Sequence, residues 1–212
     1  MRATEVEALT ARIVALRDEA GRAISIGISG LDCAGKSTLA GLLCARLEEL
    51  GIPVLLVPGD GFTRPTAERY ADPDPGLGYY RDGFDYTWLF ACLLPAVRSG
   101  LTGELVGPVS DWERDCWREA SFALKPHAVV IVEGCFLFVD DREAAFDLRV
   151  WLELPLEQSV ERALQRPRDL ERMGGPAGVR ERYALRYVPG QRHHLEHDAP
   201  QSRSDVVIDA DG

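Results

Sequence analysis

Apolar residues at Val6, Leu9, Ile13 and Leu16, with Val14 beside them, recur at intervals of three and four, which predicts an amphipathic helix over residues 4–20. The next apolar run, AISIGIS (23–29), is short and β-branched and ends in Gly30. It predicts a strand, and STLAGLLCARLEEL (37–50) follows with helical periodicity and stops at Gly51. Further runs of strand length are PVLLVP (53–58), AVVIVEG (128–134), LRVWLEL (148–154) and DVVID (205–209). They lack the polar alternation of a sheet with one wet face, so they suit a parallel sheet covered on both sides, an α/β three-layer sandwich. Helices are predicted over 86–98, 155–165 and 178–196.

Two stretches break this pattern. GDGFTRPTAERYADPDPGLGYYRDGFD (59–85) is rich in Gly, Pro, Asp and aromatics, which favours a structured loop over a helix or strand and could line a substrate pocket. RPRDLERMGGPAGVRERYALR (166–186) sets six arginines around a Gly-Gly-Pro hinge. That composition suits a mobile basic lid over phosphates, centred on 166–178, or else a solvated charged turn. No internal repeat or low-complexity tract interrupts the chain, and one domain over 1–212 is expected.

Composition narrows the partners. With 24 Lys plus Arg against 34 Asp plus Glu, the formal charge is −10, which opposes broad binding to a phosphate backbone; no nucleic-acid partner is expected. The five cysteines (Cys33, Cys44, Cys92, Cys116, Cys135) are scattered without a CxxC pair, as in a reducing cytosol, and read as mostly buried thiols. Residues 1–22 lack the pattern of an export signal, and no apolar run reaches the roughly 18 residues of a membrane span. A cytoplasmic protein with no membrane partner is the expectation.

The chemistry starts at GLDCAGKST. Gly30-x4-Gly35-Lys36-Ser37 is the phosphate-loop pattern, placed between a predicted strand and a predicted helix. Its backbone N–H groups, with those of Asp32, Cys33, Ala34 and Thr38, would turn onto the phosphates of ATP, Lys36 would bridge the β- and γ-phosphates, and Ser37 would ligate Mg²⁺. Cys33 reads as a small filler, or, if exposed beside a helix N-terminus and a lysine, as a thiol of lowered pKa. Asp60 follows the next strand and should face the same crevice, able to take a proton from an attacking hydroxyl or to hold Mg²⁺ through water. Glu133 closes an apolar strand, an expensive place for an acid unless a hydrated Mg²⁺ or a salt bridge is its partner. Arg162, Arg166, Arg168 and Arg172 could stabilise the charge of a transferring γ-phosphoryl group. His193, His194 and His197 lack a third ligand and read as a surface cluster at a helix end.

These segments together resemble the uridine kinase-like group of P-loop small-molecule kinases. The likeness covers about 22–210 and rests on GISGLDCAGKSTLA, DGFTR, GFDY, VVIVEGCFLF, ERALQRPRDLERMG and YVPGQRHHLEHDAPQSRSDVVID, in the family's order. It implies a doubly wound P-loop NTPase sheet, a small arginine-rich lid, and phosphoryl transfer from ATP with Mg²⁺ to a primary hydroxyl, first of all the 5′-hydroxyl of a pyrimidine nucleoside. By motif it makes Asp60 the general base, with Lys36, Arg166 and Arg168 assisting. It makes Asp85 the acid that holds ribose hydroxyls, with Tyr79, Phe84 and Arg172 at the acceptor, and it sets Ser37, Glu133 and Asp60 about the metal. Relatives are often homo-oligomers. Gly61, Thr63, the segment GYYRDG and Cys33 depart from the family's usual wording, which leaves another alcohol (a pantothenate, sugar or antibiotic type) as an alternative acceptor. The loop also resembles that of thymidylate kinases, without their Asp-Arg segment. A regulatory NTPase is the alternative of another class, although the Asn-Lys-x-Asp signature of GTPases is absent.

Overall fold

The computed structural model describes residues 2–140 and 142–210. The chain runs α1 (Ala3–Ala20), β1 (Ile24–Gly30), α2 (Lys36–Glu49), β2 (Val54–Pro58), α3 (Thr66–Arg69), α4 (Pro75–Asp82) and α5 (Leu94–Arg98). It continues with β3 (Gly103–Asp111), β4 (Cys116–Leu124), β5 (Val129–Gly134), β6 (Leu148–Glu153), α6 (Leu156–Leu164), α7 (Pro167–Met173), α8 (Pro176–Arg182), α9 (Val188–Asp198) and β7 (Val206–Asp209). A π-helical stretch, Tyr183–Tyr187, joins α8 to α9, and another, Leu89–Leu93, precedes α5.

Five strands form a parallel sheet in the order β2-β5-β1-β6-β7. Every residue of β1 and β5 is buried, which is why their sequences read as unbroken apolar runs. Alternation divides them between two cores. Val129 and Ile131 join Ile24, Ile26 and Ile28 beneath α1 and α2, against Ile13, Leu39, Leu43 and Leu47. Val130 and Val132 face the other way, into Leu89, Leu93, Phe138 and Trp151. The three-layer α/β sandwich is therefore as the hydrophobic pattern predicts. Among the described residues no helix is long and apolar enough to cross a membrane.

Several expectations need correction. Residues 59–85 are not a loop: they hold a 3₁₀ turn (Gly59–Phe62), α3 and α4, the last capped by the Asp74 carboxylate, which accepts from the N–H groups of Gly76 and Leu77. The arginine-rich segment is helical, with Leu170, Met173, Val179 and Tyr183 packed about Ala163 of α6. An antiparallel hairpin, β3 and β4, lies in a region for which the sequence predicts no strand. It is a separate two-stranded sheet seated on the second core through Phe122 and Leu124. The cysteines are free, as expected, but Cys92 and Cys116 are exposed and Cys135 alone is fully buried. His194 belongs to no surface cluster: it is buried, with Nδ1 2.7 Å from Asp198 Oδ2.

Candidate active site

The chain order around β1 sets the site. β2 and β5 lie on one side of it and β6 and β7 on the other, so a crevice opens at the carboxyl end of β1, where connections diverge. The loop that leaves β1 there is GLDCAGKST. Gly30 is required by close approach, since a Cβ on it would come within 2.8 Å of the Leu152 carbonyl oxygen. Gly35 caps α2 at φ 93°, left-handed backbone that a side chain would strain.

Lys36 Nζ donates to the carbonyls of Gly30 (3.1 Å) and Leu31 (2.8 Å) and lies 3.3 Å from Cys135 Sγ. Burial works against its charge, but Cys135, Asp32 and Glu133 outweigh that cost and its pKa is raised. Ser37 Oγ donates to Glu133 Oε1 at 3.1 Å. Glu133 is positioned by register: it pairs with Ile28 of β1 and with Pro58 of β2 at the same end of the sheet. Burial raises its pKa against the pull of Lys36, and Asp60 raises it further. A carboxylate crowded in this way is suited to a cation. The Ser37 hydroxyl and the Glu133 carboxylate are the side chains here that could share a hydrated cation.

Asp60 lies two residues past β2, in the 3₁₀ turn, where Thr63 closes the turn by donating to the Asp60 carbonyl through N–H (3.2 Å) and hydroxyl (2.9 Å). Its side chain is exposed to the crevice and has no hydrogen-bond or ion-pair partner among the described residues. Asp32, half-buried in the phosphate loop, is by contrast fully engaged. Its carboxylate accepts from Tyr79 Oη (3.0 Å to both oxygens), Cys135 Sγ (3.1 Å) and Gln191 Nε2 (3.2 Å), while its backbone N–H donates to Gln191 Oε1 at 2.6 Å. Burial raises the pKa of Asp32 although Lys36 opposes it, and burial pushes the Cys135 thiol well up, so that thiol remains a donor.

The crevice is open to solvent and has a cavity volume of about 110 Å³. It brings together Asp32, Asp60, Tyr79, Phe84, Arg166, Arg168 and Arg172 of the expected site. Arg166 reaches the phosphate loop, with a nitrogen 3.3 Å from Cys33 Sγ, and shares Asp169 with Arg168 at 3.6 and 3.8 Å. Arg162 lies behind the loop, donating to the carbonyls of Cys33 (3.2 Å) and Ala210 (2.8 Å). Burial pushes the Cys33 thiol up, opposite to the activated thiol considered from the sequence, and its Sγ lies 3.5 Å from Tyr183 Oη. Asp85 adjoins the crevice without lining it. Its carboxylate accepts from the Thr87 N–H (3.0 Å) and pairs with Arg64 at 3.3 Å.

Sequence reasoning missed Arg69, Tyr70, Trp112, Tyr183, Arg186 and Tyr187, which also line the crevice. Three of these come from the Tyr183–Tyr187 π-helical stretch, an irregularity that often marks functional sites. Cys135 and Gln191 were missed as partners of Asp32, although Pro189-Gly190-Gln191 stood in a motif that signalled the family.

No family model matches the chain. A uridine kinase from Yersinia pestis (strain Pestoides F) is 25% identical over 155 residues, 71% of each chain. A uridine kinase from Salmonella paratyphi A is 24% identical over the same length and shares. Among solved structures, a possible uridine kinase from Bacillus stearothermophilus superposes with a TM-score of 0.70 at 28% identity, covering 95% of this chain and 99% of its own. D-glycerate 3-kinase from Cryptococcus neoformans shares the fold, with a TM-score of 0.67 at 15% identity over 99% and 97% of the two chains.

Proposed function

We propose that this chain, which is similar to uridine kinases and shares their P-loop kinase fold, is an ATP-dependent kinase whose acceptor hydroxyl binds between Asp60 and the phosphate loop. The observation that carries this reading is the unpartnered Asp60 carboxylate in the crevice that the loop also lines. Lys36 would leave its two carbonyl partners for the β- and γ-phosphates, and the Ser37 hydroxyl would leave Glu133 for Mg²⁺. ATP would supply the phosphoryl group, and a magnesium ion held near Ser37 and Glu133 would offset the negative charge of its phosphates. As the acceptor oxygen bonds to the γ-phosphorus and the bond from that phosphorus to the bridging oxygen breaks, Asp60 takes the hydroxyl proton and ADP leaves. Arg166, which reaches the loop, and Arg168, which shares Asp169 with it, would hold the equatorial oxygens.

The 5′-hydroxyl of a pyrimidine nucleoside is one reading of the acceptor. The names of the curated relatives support it, and Phe84 and Trp112 line the crevice as aromatic surfaces for a base. A cytoplasmic location belongs to the same proposal, since it supplies ATP and keeps five thiols free. The test is incubation with magnesium-ATP and a panel of nucleosides, pantothenate, sugars and hydroxy acids, with product masses read in parallel. A gain of one phosphoryl group on an alcohol, lost in Asp60→Asn, is expected. ATP hydrolysis with no phosphorylated product would overturn the assignment of an acceptor site here.

A further inference from the structure

The chain carries a formal charge of −10, yet the crevice beside the phosphate loop is lined by Arg69, Arg166, Arg168, Arg172 and Arg186 against three acids, Asp32, Asp60 and Asp169. The arginines divide into two groups. Arg166 and Arg168 have Asp169 as partner, and Arg166 also touches the phosphate loop. Arg69, Arg172 and Arg186 have no carboxylate within ion-pair distance among the described residues.

Those three converge from separate elements, α3, α7 and the Tyr183–Tyr187 stretch, and are tied together by rings. Arg69 lies 5.3 Å from the Tyr70 ring and 5.5 Å from that of Trp112, Arg172 5.3 Å from Trp112, and Arg186 4.2 Å from Tyr70. Arg186 is 5% exposed and donates to the backbone carbonyls of Pro75 and Arg69, neutral acceptors that leave its charge uncompensated. Arg69 Nε is buried without a partner. Burial lowers the pKa of Arg186, a further sign that nothing in the chain neutralises it. A guanidinium held out of water with no anion is costly, as for the buried Arg186; with the half-buried Arg69 and the exposed Arg172 lining the same cavity, a bound anion would complete the site.

We propose that the acceptor is an anionic alcohol, carrying a carboxylate or phosphate that Arg69, Arg172 and Arg186 bind while its hydroxyl faces Asp60. This rests on the kinase reading above and goes beyond it. The division of arginines assigns Arg166 and Arg168 to the donor phosphates and the other three to the acceptor. An uncharged nucleoside would leave the buried Arg186 and the half-buried Arg69 without an anion.

The test titrates inorganic phosphate, and separately glycolate, into protein loaded with magnesium and the non-hydrolysable analogue AMP-PNP, so that the phosphate loop is already filled. One equivalent of at least one anion should bind, and the tighter of the two tells phosphate from carboxylate. Arg69→Gln and Arg172→Gln should each weaken it about tenfold. The AMP-PNP affinity of each variant, measured in parallel, separates a lost subsite from a folding defect. In turnover, the anionic member of the pairs glycolate and ethylene glycol, and gluconate and glucose, should be preferred, with the preference diminished in Arg69→Gln. No bound anion in AMP-PNP-loaded protein, anion affinity unchanged in both variants, or neutral uridine phosphorylated better than every anionic alcohol would overturn the proposal and leave the kinase reading standing. Failure of AMP-PNP to bind at all would overturn both.

Discussion

Ser37 Oγ donates to Glu133 Oε1 across 3.1 Å, joining the first turn of α2 to the carboxyl end of β5. The bond places a hydroxyl and a carboxylate side by side at the mouth of the phosphate loop. Glu133 has a raised pKa because burial disfavours its charge, with Lys36 opposing and Asp60 adding to the rise. A cation is the partner that would relieve both acids there.

Glu133→Gln should therefore raise the Mg²⁺ concentration needed for half-maximal turnover, by roughly 10- to 100-fold, as for other groups that orient metal ligands. A Mg²⁺ titration of initial rates measures it. An unchanged requirement would show that Glu133 serves packing alone.

Asp60→Asn should lower turnover by about 10² to 10⁴, the usual contribution of a positioned base, while leaving nucleotide affinity intact. The exposed, unpartnered position of Asp60 makes a folding defect a poor explanation for such a loss. Steady-state rates and AMP-PNP binding on the same preparation separate the two effects; full activity in the variant would reassign the base.

What could be read from the sequence follows from how local each signal is. The phosphate loop is legible because its chemistry needs glycines, a lysine and a hydroxyl within nine residues of one strand-to-helix turn. Asp60 and Glu133 are legible as acids placed just past apolar strands. The partners of Asp32 are not, since Tyr79, Cys135 and Gln191 come from three distant segments, Gln191 being 159 residues away. Arg69 and Arg186 look like ordinary surface arginines until α3 and the Tyr183–Tyr187 stretch bring them to one wall. The β3–β4 hairpin escaped because its burial is partial and interrupted along both strands, unlike the continuous runs of the main sheet.

Gln191→Ala tests the brace behind the loop. It strands the Asp32 N–H and removes one donor from the Asp32 carboxylate, so a loss of about 1–3 kcal/mol is expected. Urea unfolding measures the loss, and AMP-PNP affinity should fall with it as the loop loosens. Unaltered stability would mean that water replaces the amide.

Asp147 gives a pH dependence with a definite sign. Burial pushes its pKa up, but hydrogen bonds from Arg22 and from the Ser25 backbone and hydroxyl outweigh burial, and the net shift is downward. A carboxylate of lowered pKa contributes stability that is present above the unfolded-state value and lost as pH falls through the folded one. Stability should thus decline on acidification below about pH 4, the ordinary aspartate range. Asp147→Asn should flatten that part of the profile. An identical acid limb in the variant would place the acid sensitivity elsewhere, with Asp205 and its partner Arg149 the next pair to test.

His194 and Asp198 make the last case, one turn apart on α9 and each no more than 3% exposed. Asp198 Oδ2 lies 2.7 Å from His194 Nδ1 and accepts from Tyr80 Oη at 2.8 Å, so one carboxylate ties α9 to the residues of α4 beside the crevice. Removing it deprives two polar groups at once, a buried ring nitrogen and a half-buried hydroxyl. Asp198→Ala should cost roughly 1–3 kcal/mol for each, and about 2–4 °C in Tm for each kcal/mol in a chain of this size. Asp198→Asn, which keeps an acceptor for one of them, should recover part of the loss. Because α4 also carries Tyr79, the alanine variant should loosen the Asp32 network and raise the apparent KM for the acceptor more than that for ATP. Thermal unfolding and the two KM values measured together decide the matter: a full Tm loss with both constants unchanged would confine the pair to a structural role.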